Sequence, residues 1–157
     1  MVGVIVLVAS LAAATAFGLW RRRVDGQVRE VDAGAHAVPA ASGHVDPDHL
    51  MHVTRGELGR PLGETATLLQ FSSAFCQPCR ATRQVLGQVT EMVPGVAHIE
   101  IDAEQHLDLV RRLHVMRTPT VFVLDPSGAI RKRASGAPRT ADVIAALGEF
   151  VDAERQT

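Results

Sequence analysis

Cys76 and Cys79, three positions apart, are the only cysteines in a chain of 157 residues. Two are too few for a disulfide-stapled secreted scaffold, so the pair is redox-active, metal-binding or incidental. Its neighbours favour redox chemistry. At the start of a helix, backbone N–H groups and the helix dipole favour a negative sulfur at Cys76, which lowers the pKa of a thiol whose thiolate is the nucleophile. Pro78 suits the first helical turn, where its missing N–H would go unpaired anyway, and it stiffens the loop that carries both sulfurs. Arg80 adds a positive charge, and Phe75 is either an apolar shoulder beside the nucleophile or a core aromatic. The metal-binding alternative rests on His44, His49 and His52 as added ligands for zinc or copper. No second C-x-x-C and no nearby H-x-x-x-H accompany them, and such histidines are more often solvated linker residues.

Positioning the pair requires a strand that ends, and a helix that begins, on either side of the turn. Thr67 to Phe71 is a short apolar run that leads through Ser72 and Ser73 into the cysteines. Ala81, Val85, Val89 and Met92 then mark an apolar helical face, and Pro94 and Gly95 stop the helix. Val96 to Asp102 alternates as a strand, with Ala97, Ile99 and Ile101 opposite His98, Glu100 and Asp102. A second helix is expected from about Glu104 to Leu113, with acids near its start and Arg111 and Arg112 at its end. Thr120 to Leu124 and Ala129 to Ser135 form an antiparallel pair across Asp125–Gly128. Thr140 caps a last helix with Val143, Ile144, Leu147 and Val151 on one face. The order strand, helix, strand, helix, strand, strand, helix describes an α/β domain.

In this order the segments Phe71-Ser-Ser-Ala-Phe-Cys-Gln-Pro-Cys-Arg80, Val96-Ala-His-Ile-Glu-Ile-Asp102 and Thr118-Pro-Thr-Val-Phe-Val-Leu124, with Gly136, resemble the landmarks of the thioredoxin family. The resemblance covers about Thr67 to Phe150. It implies a thioredoxin-like fold, a central mixed sheet flanked by helices, and thiol-disulfide exchange in which Cys76 attacks and Cys79 resolves. No cofactor and no metal are implied. Pro119 matches the family's cis-proline, and Thr118 is then expected to offer backbone hydrogen bonds to substrate. The chain departs from the family where W-C-G-P-C becomes Phe75, Cys76, Gln77, Pro78, Cys79, and that dipeptide tunes redox potential. The buried acid six residues before the first cysteine is Gln70 here, and the neighbouring lysine position is His98. His98 is a candidate replacement for proton transfer, or simply a strand residue at a partly buried site. A thioredoxin-like interaction module with little turnover is the other alternative, favoured by Gln70 and opposed by the intact pair.

The bulk numbers fit one domain with an appendage. An apolar fraction of 46%, a charged fraction of 21% and a net charge of −1 describe a foldable chain without the basic footprint of a nucleic-acid binder. Met1 to Trp20 carries no charged side chain and is long enough to span a bilayer. Arg21, Arg22 and Arg23 follow, with Trp20 at headgroup level, so the domain is expected to face the cytoplasm as a single-pass membrane protein. The alternatives are a cleaved signal, to which Ala12, Ala14 and Ala16 lend a cleavage site, and a helix buried in the soluble core. An exported domain would run the same chemistry in extracytoplasmic disulfide or cytochrome maturation. Residues 21–65 read as a linker or loosely ordered lead-in, with Leu58 to Leu62 a possible edge element, and 66–152 as the domain. The expected partners are protein thiols or disulfides, an unidentified electron donor or acceptor, and the membrane. Arg131, Lys132 and Arg133 read as charges that protect an edge strand from aggregation, with anionic lipid as the alternative contact.

Overall fold

The computed structural model describes residues 2–24, 26–31 and 51–154. Helix α1 (Val2–Val24) and strand β1 (Val28–Glu30) are followed by α2 (Arg55–Leu58), β2 (Ala66–Ser72), α3 (Gln77–Met92) and β3 (Val96–Asp102). Helix α4 (Leu107–Arg112), the hairpin β4 (Thr120–Leu124) and β5 (Ile130–Ser135), and α5 (Thr140–Glu154) complete the order. The sheet runs β1-β5-β4-β2-β3, with β2 parallel to β3 and every other pairing antiparallel. Central β2 is buried along its whole length, as a strand covered on both faces must be.

The two faces of the sheet carry separate cores. Leu69, Phe71, Ile99, Ile101, Phe122 and Leu124 pack under Leu109 and Leu113 on one side. On the other, Ala66, Leu68, Val121, Val123 and Ala134 meet Leu86 and Val89 of α3 and Val143, Ala146 and Leu147 of α5. The observed stripe of α3 is displaced from the expected one. Cys79, Thr82, Leu86 and Val89 are buried, whereas Ala81 and Met92 face out. Spacings of three, four and three keep Cys79 on the inner face, and Leu86 takes the place that the sequence pattern assigns to the smaller Val85.

Two stretches read from sequence as lead-in fold onto the domain. β1 adds to the sheet edge, pairing Val28, Arg29 and Glu30 with Ala134, Arg133 and Lys132. Further on, Val53 N–H donates to the Gly128 carbonyl, and Ile130 N–H to that of Met51. Gly128 has φ +99°, and a Cβ there would stand 2.1 Å from the Val53 carbonyl, so only glycine permits the approach. Thr54 then starts α2 through a capping box with Glu57. The helix ends at Gly59 (φ 63°), and Val53, Leu58 and Leu62 join the first core. The suspected edge element at Leu58–Leu62 is thus no strand: it begins at the end of a capped helical turn and its two leucines plug the core.

Helix α4 starts at Leu107, three residues after the expected Glu104, because the Asp102 carboxylate accepts from Glu104 N–H and Gln105 Nε2 and holds a turn there. In α1 the stretch Val2–Trp20 is long and apolar enough to cross a membrane, and none of it is buried, which removes the reading of a soluble core helix. Ser10 and Thr15 donate their hydroxyls to the Val6 and Leu11 carbonyls, so those polar groups are satisfied within the helix, as hydrocarbon requires. A signal sequence shares these attributes.

Candidate active site

Strand β2 ends at Ser72, and the turn Ser73–Phe75 delivers Cys76 to the N-cap of α3. The cap is the sulfur itself: Cys76 Sγ accepts the Cys79 N–H at 3.1 Å, and no acidic residue occupies the first turn to oppose a negative charge. Cys76 and Cys79 are joined by a disulfide, with Cys76 half-buried and Cys79 only 2% exposed. One sulfur is therefore open to a partner and the other is not. Gln77, Pro78 and Arg80 are exposed around the pair, and Phe75 is 99% exposed, which removes its core reading.

The Thr118–Pro119 peptide bond is cis, Pro119 is buried and Thr118 half-buried. The Ser73 and Thr118 hydroxyls lie 2.9 Å apart and join the turn before the cysteines to the segment that opens β4. Gly136 N–H donates to the Pro119 carbonyl, fixing that segment from the far end of the hairpin.

Beneath Cys79 a polar network runs from the buried Gln70 and Ser72 to the half-buried His98 and Glu100 and the exposed Arg83. Gln70 donates through Nε2 to the Cys79 carbonyl at 3.0 Å and to Ser72 Oγ at 2.8 Å, and the same nitrogen is 3.4 Å from Glu100 Oε1. Its amide oxygen faces His98 Nε2 at 3.2 Å, and because that oxygen only accepts, Nε2 carries the proton. The Ser72 hydroxyl donates to Glu100 Oε1 at 2.6 Å, and the Arg83 guanidinium grips both Glu100 oxygens. The β2–β3 register sets Gln70 beside Glu100, which is why the two meet. The Arg83 hydrogen bond holds the Glu100 carboxyl below its ordinary pKa, against the opposing effect of burial. Burial pushes His98 down, opposed by Glu100 and reinforced by Arg83 and Arg60, so its imidazole stays neutral to lower pH than usual.

Sequence reasoning named Gln70 and His98 and missed Glu100, Ser72 and Arg83. Glu100 shares the His98 face of β3 by simple alternation, so the face was legible, but the contact needs the register. Among the described residues no three His, Cys, Asp or Glu side chains come together as a metal site. His44 and His49 lie outside the described residues, and His52 bridges to Ala129 at the sheet edge.

Comparison with known proteins agrees with this geometry. The family model described as thioredoxin matches residues 57–149. Thioredoxin H5 and Thioredoxin H4-1 of Oryza sativa subsp. japonica are each 26% identical, over 69 and 83 residues respectively. Those matches cover 44% and 52% of this chain but only 51% and 63% of the relatives. The chain therefore spans between half and two thirds of their length. Among solved structures, chloroplastic thioredoxin z superposes with a TM-score of 0.51 at 25% identity, covering 57% of this chain and 80% of that one. Fasciola hepatica thioredoxin gives 0.50 at 20% identity, covering 61% and 86%.

Proposed function

The chain belongs to the thioredoxin family, and from that premise we propose that it is a thiol-disulfide oxidoreductase that reduces protein disulfides through Cys76 and Cys79. The observation that carries the reading is the asymmetry of the pair: one sulfur accessible and capping a helix, the other buried behind it. In the reduced protein the Cys76 thiolate attacks a substrate disulfide, and one substrate sulfur leaves as thiolate. Cys79 then attacks Cys76 Sγ, releasing the second substrate thiol and closing the disulfide. An electron donor of the dithiol class restores the pair.

Phe75 offers an apolar platform beside the nucleophile, with Gln77, Pro78 and Arg80 forming the rest of the exposed loop. Thr118 and Pro119 present the backbone against which an extended substrate would lie. His98 is joined to the Cys79 backbone through the Gln70 amide, which accepts from His98 Nε2 and donates to the Cys79 carbonyl, so the two side chains orient the buried cysteine while its proton goes to water. The redox unit is the domain from residue 66 to 152 together with its lead-in from Val53.

Helix α1 anchors the domain, and Arg21, Arg22 and Arg23 keep it on the cytoplasmic side. A reporter fused at the C-terminus reads the side directly. Export of the fusion, or removal of α1 from the mature chain, overturns the anchor and makes extracytoplasmic disulfide chemistry the better reading.

The activity test uses the full chain in detergent with a peptide disulfide and a dithiol donor. Cys76→Ser is expected to abolish turnover, while Cys79→Ser accumulates a mixed disulfide on Cys76. Retention of turnover without Cys76 sinks the assignment. A potential near about −270 mV marks a reductant, and one near about −120 mV an oxidant.

A further inference from the structure

The buried thiol of Cys79 has to lose a proton before it resolves a mixed disulfide, so whatever charge stands behind it governs that step. Strand β2 brings none: Gln70 and Ser72 are neutral. The charge comes from the next strand. Glu100 lies opposite Gln70 in the register, and one amide nitrogen, Gln70 Nε2, separates its carboxylate from the Cys79 carbonyl. Both carboxylate oxygens are occupied, one by Ser72 and Arg83 and the other by Arg83. A carboxylate gripped in this way is a fixed charge rather than a proton acceptor.

Resting on the thiol-exchange reading above, we infer that Glu100 is a positioning residue of the redox site. Through Ser72 and Gln70 it orients the amide against Cys79, and its charge keeps the Cys79 thiol protonated while Cys76 ionises at the head of α3. A negative charge nearby disfavours a second thiolate, whereas the helix amides favour the first. The groups that bear on Cys79 are Cys76 and Arg83 from its own helix and Glu100 and His98 from β3. Arg60, ahead of β2, acts on His98. Arg80 is exposed on the outer side of the first turn.

The consequence is an ordered reaction. Cys76 attacks as thiolate while Cys79 is still a thiol. In the mixed disulfide no Cys76 thiolate remains, so Cys79 then gives its proton to water and attacks Cys76 Sγ. The new sulfur–sulfur bond forms as the bond to substrate breaks, and the substrate sulfur leaves with the electron pair and takes up a proton. The cysteine pair is oxidised by two electrons, and the substrate disulfide is reduced by the same two.

The test is a pH titration of the reduced full chain in detergent, with 13C at the cysteine β-carbons and both thiols followed by NMR. Glu100→Gln keeps an acceptor for Ser72 and removes the charge, so the upper thiol titration is expected to fall by about one pH unit. Arg83→Gln leaves the carboxylate without its counter-charge, and the same titration is expected to rise. Arg83 has a side chain 56% exposed, so its removal leaves the core intact. Opposite signs exclude simple loosening of the site, which would move both variants the same way. Shifts of the same sign, or none in either variant, overturn the role given to Glu100. The titration reads thiols without turnover, so a wild type that titrates as described but fails to exchange disulfides overturns the proposed function separately.

Discussion

Strand β2 has two faces built to different rules. Toward α4, Leu69 and Phe71 are enclosed by hydrocarbon, Phe71 meets Phe122 edge-on at 5.7 Å, and the one hydroxyl, that of Thr67, accepts the Gly63 N–H. Toward α3, Ala66 and Leu68 are equally buried, but the next two positions of that face are Gln70 and Ser72. Burying an amide and a hydroxyl in place of two aliphatic side chains costs stability unless every polar atom is paired. The pairing is supplied by Cys79, His98, Glu100 and Arg83. On the α3 face polar residues thus enter only at the end of the strand nearest the disulfide, and the apolar face carries the stability.

The comparison breaks if the apolar face also sets the chemistry. Phe71→Ala removes a fully buried ring and is expected to cost about 3–5 kcal/mol in denaturant unfolding. The redox potential of the protein that remains folded is expected to be unchanged. A potential that moved with Phe71 would mean that the faces are not separable. Gln70→Leu, of similar volume, is expected to cost less, about 1–3 kcal/mol, by removing the side-chain donor to the Cys79 carbonyl and the acceptor that faces His98. Unlike Phe71→Ala, it is expected to slow disulfide exchange. A Gln70→Leu protein with wild-type stability and rate would show that the network has no role in either.

The polar face is also expected to make stability depend on pH. His98 and Glu100 both have folded pKa values pushed down, by burial for the first and by the Arg83 hydrogen bond for the second. A depressed folded value means that the unfolded chain binds the proton more tightly, so the stabilisation is present above the unfolded pKa and is lost as pH falls. The loss begins below about 6.5 for His98 and below about 4.3 for Glu100. Urea unfolding is expected to show lower stability at pH 5.5 than at pH 7.5, and His98→Gln to remove most of that difference. A stability that rose on acidification would reverse the assigned environment of His98.

The parts legible in the sequence are those specified locally. Thr120–Leu124 came out with the observed bounds because a turn signal and a β-branched run mark both ends, and the cysteine pair at a strand-to-helix turn needed no long-range information. Strand β1 was not legible: three residues, Val-Arg-Glu, show no period, and only pairing with Lys132–Ala134 makes them a strand. Thr54-x-x-Glu57 carries the capping-box pattern, but Gly56, Gly59 and Gly63 around it mask the start of a helix. Glu100 required two facts at once, the face it shares with His98 and the register with Gln70. The stripe of α3 was misplaced by one residue because apolar periodicity does not register that a cysteine and a threonine are the inward residues.

That threonine supplies the smallest and sharpest test. Thr82 lies one turn beyond Cys79, is 1% exposed, and its hydroxyl has no hydrogen-bond partner. If the α3 side of the sheet tolerates polar atoms only where the network pairs them, this hydroxyl is a net cost. Thr82→Val keeps the shape and deletes the orphaned group, so it is expected to raise stability by a few tenths to about 1 kcal/mol with the exchange rate unchanged. A loss of stability would mean that the hydroxyl is paired in solution, through a buried water for instance. A slower exchange at equal stability would extend the network one turn further along α3, from the carbonyl of Cys79 to the side chain behind it.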